Sequence, residues 1–146
     1  MAKRRDPSPP KFVVRQESVS QYGLDDDTRA FADALWRVQD WSSRKFGARA
    51  SRTPWDIIVS LAQANQSRLS LVDLESRVQR SHRTLQYVLR DLDAAGLVNI
   101  ERSEEDRRRT VISLSDEGRK GFEEYIRLFR REIGPYVAKE NGTSAS

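Results

Sequence analysis

Cysteine is absent from this 146-residue chain, and histidine occurs only once, at His82. The absence of cysteine excludes disulfides, thiolate metal sites and cysteine-based redox sensing. With a single histidine, a zinc site would need mostly carboxylate ligands, which is not how proteins usually hold zinc. We therefore predict no metal and no other cofactor.

Long apolar runs are also missing, since no segment approaches the roughly 20 residues of a membrane-spanning helix. The N-terminal sequence MAKRRDPSPPK has basic residues but no apolar segment behind them, unlike a secretory signal. There is no glycine-rich phosphate loop. Ser81 and His82 are neighbours on a predicted helix, so they cannot face each other as a nucleophile and its base must. We predict a cytoplasmic protein that is not an enzyme and has no membrane partner.

Charged residues make up 33% of the chain, and the net charge of +4 favours an acidic partner such as nucleic acid. The positive charge is concentrated. Residues 77–90 include Arg77, Arg80, Arg83 and Arg90 without any acidic residue. Acidic residues flank this segment on both sides, so it is far more basic than the chain as a whole. It is the first candidate for contact with nucleic acid.

Apolar spacing and capping residues predict two helices in the first half of the chain. The first covers about 26–46, with Gly47 as its stop. Its apolar stripe consists of Phe31, Leu35, Val38 and Trp41. The second begins with Thr53 as its cap and Pro54 in the first position, and it ends before 65–67. Its apolar positions are Trp55, Ile58, Leu61 and Ala62.

Two shorter helices are predicted next, separated by a tight turn. Ser70 caps the third helix, in which Leu74 and Val78 face the core. Ser81 caps the fourth helix, and Gly96 closes it. The apolar stripe of the fourth helix consists of Leu85, Val88, Leu89 and Leu92. Its outward face is therefore expected to carry His82, Arg83, Gln86, Tyr87 and Arg90.

The C-terminal part is predicted to contain a strand pair and one long helix. Strands at 97–100 and 111–114 enclose a polar loop. Ser115 caps a helix whose apolar residues, Phe122, Tyr125, Ile126, Phe129 and Ile133, repeat at three and four. We expect Gly134-Pro135 to end this helix and to leave at most a short turn behind it. The predicted fold class is mainly α with a small β-hairpin.

The chain ends are predicted to lie outside the single folded domain. Residues 1–24 carry three prolines and few periodic apolar positions, which indicates a flexible basic arm. The cluster at 3–5 is either a contact for DNA phosphates or part of a solvated tail. Residues 139–146 are mostly small and polar, as is typical of a disordered tail. The domain itself is predicted over 25–138.

Several motifs resemble the MarR family of bacterial transcription regulators. They are Leu92-Asp93-Ala94-Ala95-Gly96-Leu97-Val98, then Arg102, then Asp106-Arg107-Arg108, and Leu114-Ser115-Asp116-Glu117-Gly118-Arg119. The resemblance covers roughly 25–138 and is densest over 69–119. It implies a winged helix-turn-helix with a DNA-binding lobe at about 53–114. It also implies a homodimer held together by the first and last helices.

The resemblance further implies that the fourth helix lies in the major groove of double-stranded DNA and the wing arginine in the minor groove. Arginine binds guanine bidentately, glutamine suits adenine, and hydroxyls at the helix start can hold phosphates. The wing of this resemblance is the loop between the two strands, residues 103–109. Its charges nearly cancel, so its expected contact with DNA depends on Asp106 holding Arg108 in place. An ordinary salt-bridged hairpin is the alternative. The predicted DNA-binding residues are Arg77, Arg80, Ser81, His82, Arg83, Thr84, Gln86, Tyr87, Arg90, Asp106, Arg107, Arg108 and Arg109.

Relatives of this kind often bind small aromatic acids, so an effector pocket is a further expectation. The candidate residues are Trp36, Arg37, Trp41 and Trp55, and the alternative is that these aromatic residues pack a dimer core. We predict a sequence-specific transcriptional regulator, a repressor that binds a pseudo-palindromic operator as a homodimer. Two alternatives stay open. One is a winged-helix protein-interaction module without specific DNA binding, and the other is a non-specific architectural DNA binder.

Overall fold

The computed structural model describes residues 23–103, 105 and 109–140, without the side chains of 138–140. The predicted basic arm (apart from its last two residues), the predicted tail beyond residue 140, and Asp106, Arg107 and Arg108 of the wing lie outside the described residues. The elements are α1 (Asp26–Phe46), α2 (Thr53–Gln63), β1 (Arg68–Ser70), α3 (Leu71–Val78), α4 (His82–Ala94), β2 (Val98–Arg102), β3 (Thr110–Leu114) and α5 (Asp116–Glu140).

Side-chain caps define where four of the helices begin. The carboxylate or hydroxyl oxygens of Asp25, Ser70 and Ser81 accept the backbone N–H groups of Thr28, Asp73 and Thr84 at 2.7, 3.1 and 3.2 Å. At α5, Ser115 Oγ accepts the Gly118 N–H at 3.0 Å, as predicted. The prediction for α2 was wrong in one detail. Thr53 is the first residue of the helix, and Arg52 occupies the cap position. The Thr53 side chain is instead buried against its neighbours.

The main core lies between α2, α3, α4 and the sheet. Its fully buried side chains include Phe46, Ile57, Ile58, Leu61, Leu74, Leu85 and Ile112. A second, smaller cluster of Ala34, Val38 and Ile133 joins α1 to α5. The stripe predicted for α1 therefore needs one correction. Leu35 is 43% exposed, because α1 turns Ala34 rather than Leu35 towards α5.

The sheet has three antiparallel strands in the order β1-β3-β2. The predicted hairpin is present, with Ile100 opposite Ile112. The sequence did not predict β1, which pairs Leu69 with Ile112 on the other side of β3. With only three residues, β1 is too short to show an alternating pattern of its own.

Helix α5 continues through Gly134-Pro135 to residue 140, so the expected break is wrong. A proline inside a helix removes one backbone hydrogen bond, and its ring collides with the Cβ of the preceding residue. Glycine has no Cβ, which makes this position tolerant of the proline. Packing on both sides then holds the helix together. Ile133 is buried, and Tyr136 stacks on Phe31 with 5.0 Å between the ring centroids.

Candidate DNA-binding surface

Helix α4 buries one face and exposes the other. Leu85, Leu89 and Leu92 are at most 3% exposed, so the helix is anchored by its apolar stripe. The opposite face is exposed along its whole length, as predicted, and consists of His82, Arg83, Gln86, Tyr87 and Arg90. We call this set the α4 face. In helix-turn-helix proteins, the second helix of the motif is the element that enters a major groove, and α4 has the corresponding place after α3.

The N-terminus of α4 is held by a local hydrogen-bond pair. Ser81 Oγ accepts from the Thr84 N–H and donates to Thr84 Oγ1 at 2.8 Å. Both hydroxyls are exposed at the positive end of the helix, where a phosphate would be stabilised. One acidic group also reaches this region. Glu75 of α3 contacts His82 Nδ1, a contact that counting charges within 77–90 could not reveal.

Two predicted DNA-binding arginines lie on the α2 side of the helix-turn-helix. Arg77 borders a groove whose other lining residues lie mainly in α2, together with Arg52, which directly precedes α2. Arg80 Nε donates a 3.2 Å hydrogen bond to Thr53 Oγ1 at the start of α2. The structure therefore does not group Arg77 and Arg80 with the α4 face.

Two arginines of the sheet, Arg68 and Arg102, were not among the predicted DNA-binding residues. A cleft of about 190 Å³ separates α4 from the sheet, and Gln86, Arg90 and Arg102 line it together. Arg68 of β1 also lies on the sheet, with its guanidinium 4.0 Å from a carboxylate oxygen of Glu101. Arg102 belonged to the motifs of the family resemblance but was not counted as a DNA-binding residue, whereas Arg68 could be placed only once β1 was recognised. Arg109, which was predicted as a DNA-binding residue, is also exposed. Its backbone carbonyl accepts the Ser103 N–H at 2.9 Å, and this bond closes the base of the wing loop.

The four candidate effector residues do not come together. Trp36 is 65% exposed, and Arg37 pairs with Glu132 of α5 at 3.0 Å. Trp41 packs beside the core. Only Trp55 lines a cavity of about 450 Å³, which is bordered by α1, the α1–α2 loop and Tyr125. Burial raises the pKa of the Tyr125 hydroxyl above its ordinary value.

Residues 23–103, 105 and 109–140 contain neither a metal-binding cluster nor a membrane-spanning helix. No group of three metal-binding side chains comes together in this part of the chain. None of the helices described there is long and apolar enough to cross a membrane.

A family model described as a winged helix DNA-binding domain matches residues 53–118. No curated protein matches the chain significantly. S. aureus MepR, solved with DNA, has 22% identity and a TM-score of 0.66 over 80% of this chain and 93% of that chain. NadR in complex with 4-hydroxyphenylacetate has 22% identity and a TM-score of 0.57 over 95% and 89%. A MarR family regulator from Streptomyces coelicolor, solved with DNA, has 19% identity and a TM-score of 0.50 over 93% and 84%.

These matches show which known fold the chain resembles. Residues 53–118 are similar to a winged helix DNA-binding domain, and the α4 face lies within this segment. The fold of the chain is similar to that of MepR and of the MarR family regulator from Streptomyces coelicolor, so the predicted fold class is confirmed and the resemblance drawn from the sequence extends to the fold.

Proposed function

We propose that this protein is a cytoplasmic transcriptional repressor that binds a specific pseudo-palindromic DNA site as a homodimer. The observation that supports it most is the α4 face, in which exposed arginines and a glutamine stand on a helix fixed by buried leucines. Arginine and glutamine are the side chains that read guanine and adenine in the major groove. Arg102 and Arg109 of the wing would add contacts to the DNA backbone.

The dimer is proposed from the apolar residues that α1 and α5 leave exposed. Trp36 is 65% exposed, and Leu35, Phe129 and Val137 are 37–48% exposed. Large apolar side chains left exposed on two helices that pack together are a reason to expect a protein interface there. Two copies of the chain that pack through these helices and are related by a twofold axis would present their two α4 faces to half-sites about 10 bp apart.

Selection of genomic fragments with the purified protein, followed by sequencing, tests the proposal. We expect one enriched pseudo-palindromic motif, bound with an affinity that falls with salt by about 0.9 log units per neutralised phosphate for each log unit of salt. Arg108→Ala should weaken binding, whereas Arg83→Ala and Gln86→Ala should also blur the sequence preference. Arg44→Ala and Gln63→Ala place the same substitutions away from the α4 face and should bind like the parent.

The alternative functions predict different outcomes of the same selection. A protein-interaction module without specific DNA binding would give no enriched motif even at moderate salt. An architectural binder would retain DNA without enriching any sequence. If all three α4 and wing variants bound like the parent, the proposed reading surface would be wrong.

We also propose that the cavity beside Trp55 is where a small aromatic effector binds. Its lining combines Trp55 and Tyr125 with two arginines of the α1–α2 loop, Arg49 and Arg52, which suit an aromatic ring that carries a carboxylate. Titration with 4-hydroxyphenylacetate, the ligand of NadR, should quench tryptophan fluorescence. The quenching should be lost in Trp55→Phe and kept in Trp36→Phe. Quenching that survives in Trp55→Phe would exclude this cavity.

A further inference from the structure

The turn between α3 and α4 is connected to the start of α2 by a hydrogen bond from Arg80 to Thr53, which two local bonds between Ser51 and Thr53 support. Arg80 Nε donates to Thr53 Oγ1 at 3.2 Å, and Ser51 Oγ donates to the same oxygen at 3.0 Å. The Thr53 N–H in turn donates to Ser51 Oγ at 3.1 Å. Thr53 is only 1% exposed, so its hydroxyl cannot reach DNA.

Arg80 occupies the last position before the N-cap of α4. The residue before it, Gln79, is in the left-handed conformation with φ of 54°, so the chain reverses sharply there. A bond from Arg80 to the buried start of α2 fixes the point from which α4 leaves this turn. Because the α4 face must meet base edges, the angle at which α4 begins matters for specific binding.

From this geometry we propose that Arg80 is a positioning residue, which holds the start of α4 through Thr53 instead of neutralising a DNA phosphate. The proposal rests on the proposed function for its DNA readout. It separates Arg80 from the α4 face, whose arginines act directly on DNA. Loss of the bond would lower the fraction of molecules in which α4 is correctly placed, and the apparent affinity falls by that fraction.

Salt dependence of binding to the selected DNA site distinguishes the two roles. Arg80→Ala and Thr53→Val should each weaken specific binding on the order of tenfold, the effect of a lost hydrogen bond to a charged group. In both variants, the slope of log affinity against log salt concentration should equal that of the parent. The double variant should bind no more weakly than either single variant. Arg83→Ala is the comparison, because loss of a phosphate or base contact that releases a counterion lowers the slope by about 0.9.

Conservative variants sharpen the test. Arg80→Gln removes the charge but places an amide Nε2 donor the same number of bonds from the backbone as the arginine Nε. Thr53→Ser keeps the acceptor hydroxyl. Both should bind nearly like the parent. If Arg80→Gln is as weak as Arg80→Ala with a reduced slope, or if Thr53→Val binds like the parent, the positioning role is refuted.

Amide hydrogen exchange in the free protein gives a readout independent of DNA. Thr53→Val and Arg80→Ala should speed exchange to a similar extent at Thr84 and Leu85, whose N–H groups are hydrogen-bonded to Ser81, whereas Arg83→Ala should leave the protection at Leu85 unchanged. Unchanged protection in the first two variants would overturn the inference. A parent protein that fails to bind DNA would refute the proposed function instead, and the exchange data would still decide the role of Arg80.

Discussion

The substitution Gly118→Ala tests the junction between α5 and the DNA-binding lobe. A Cβ at Gly118 would lie 3.1 Å from the carbonyl carbon of Leu97, closer still to its oxygen, and 3.3 Å from Leu114 Cδ2. The Leu97 carbonyl cannot move away easily, because it accepts the Ser115 N–H at 3.1 Å and its residue is buried. Overpacking of this kind costs about 1–3 kcal/mol, and alanine regains about 0.5–1 kcal/mol in a helix. Because the approach to the Leu97 oxygen is too close for any real Cβ contact, the cost lies in the upper half of its range, and we expect a net loss of roughly 1–2 kcal/mol.

Thermal unfolding followed by circular dichroism measures this loss, and all variants must be compared at one protein concentration because a dimer couples Tm to concentration. A loss of this size should lower Tm by roughly 3–10 °C for a chain of this length. Gly121→Ala is the matched control in the same helix. Its Cβ would meet the flexible end of Lys45 at 3.2 Å and the Phe46 ring at 3.4 Å, so Tm should change little. Equal stability of Gly118→Ala and the parent would refute the close approach of α5 to Leu97.

Two further stability predictions follow from the helix ends. Gln79→Gly should raise the free energy of unfolding by up to about 1 kcal/mol in a denaturant titration, because Gln79 has a positive φ that glycine adopts without strain; an unchanged or lower stability would contradict this. The pKa of Asp25 is lowered below its ordinary value, mainly by the backbone N–H of Thr28 and then by the Thr28 hydroxyl. Its stabilising effect is therefore present above the unfolded pKa of about 3.9 and is lost as the pH falls through the folded value. Asp25→Ala should be less stable than the parent at pH 7, and the difference should shrink towards pH 3; a difference that is constant with pH would be evidence against the cap.

The sequence predicted the helix-turn-helix well because its signals are local. Ser70 and Ser81 lie at helix starts and were recognised by residue type, and the leucine stripe of α4 repeats at helical spacing. These features decide the position of the α4 face without reference to distant residues. The outward orientation of His82, Arg83, Gln86, Tyr87 and Arg90 followed from the stripe alone.

The features that the sequence did not predict depend on tertiary contacts. Strand β1 forms because its three residues pair with the edge of β3. A segment of three residues is too short to predict this pairing from its own sequence. The continuation of α5 past Pro135 depends on packing of Ile133 and Tyr136 against α1. In the same way, Arg80 looked like one more cation of a basic segment until its hydrogen bond to Thr53, 27 residues earlier, was visible.

Site-specific photocrosslinking tests the central claim, that the α4 face contacts DNA. Tyr87 and Trp36 are exposed to a similar extent, 68% and 65%, but Tyr87 lies on the α4 face and Trp36 on α1. Each is replaced in turn by photoreactive benzoylphenylalanine, and the protein is irradiated with the DNA site obtained from the genomic selection. We predict crosslinks to bases within the half-sites from position 87 and none from position 36. Crosslinks from position 36 alone, or from neither position while the DNA remains bound, would contradict the account.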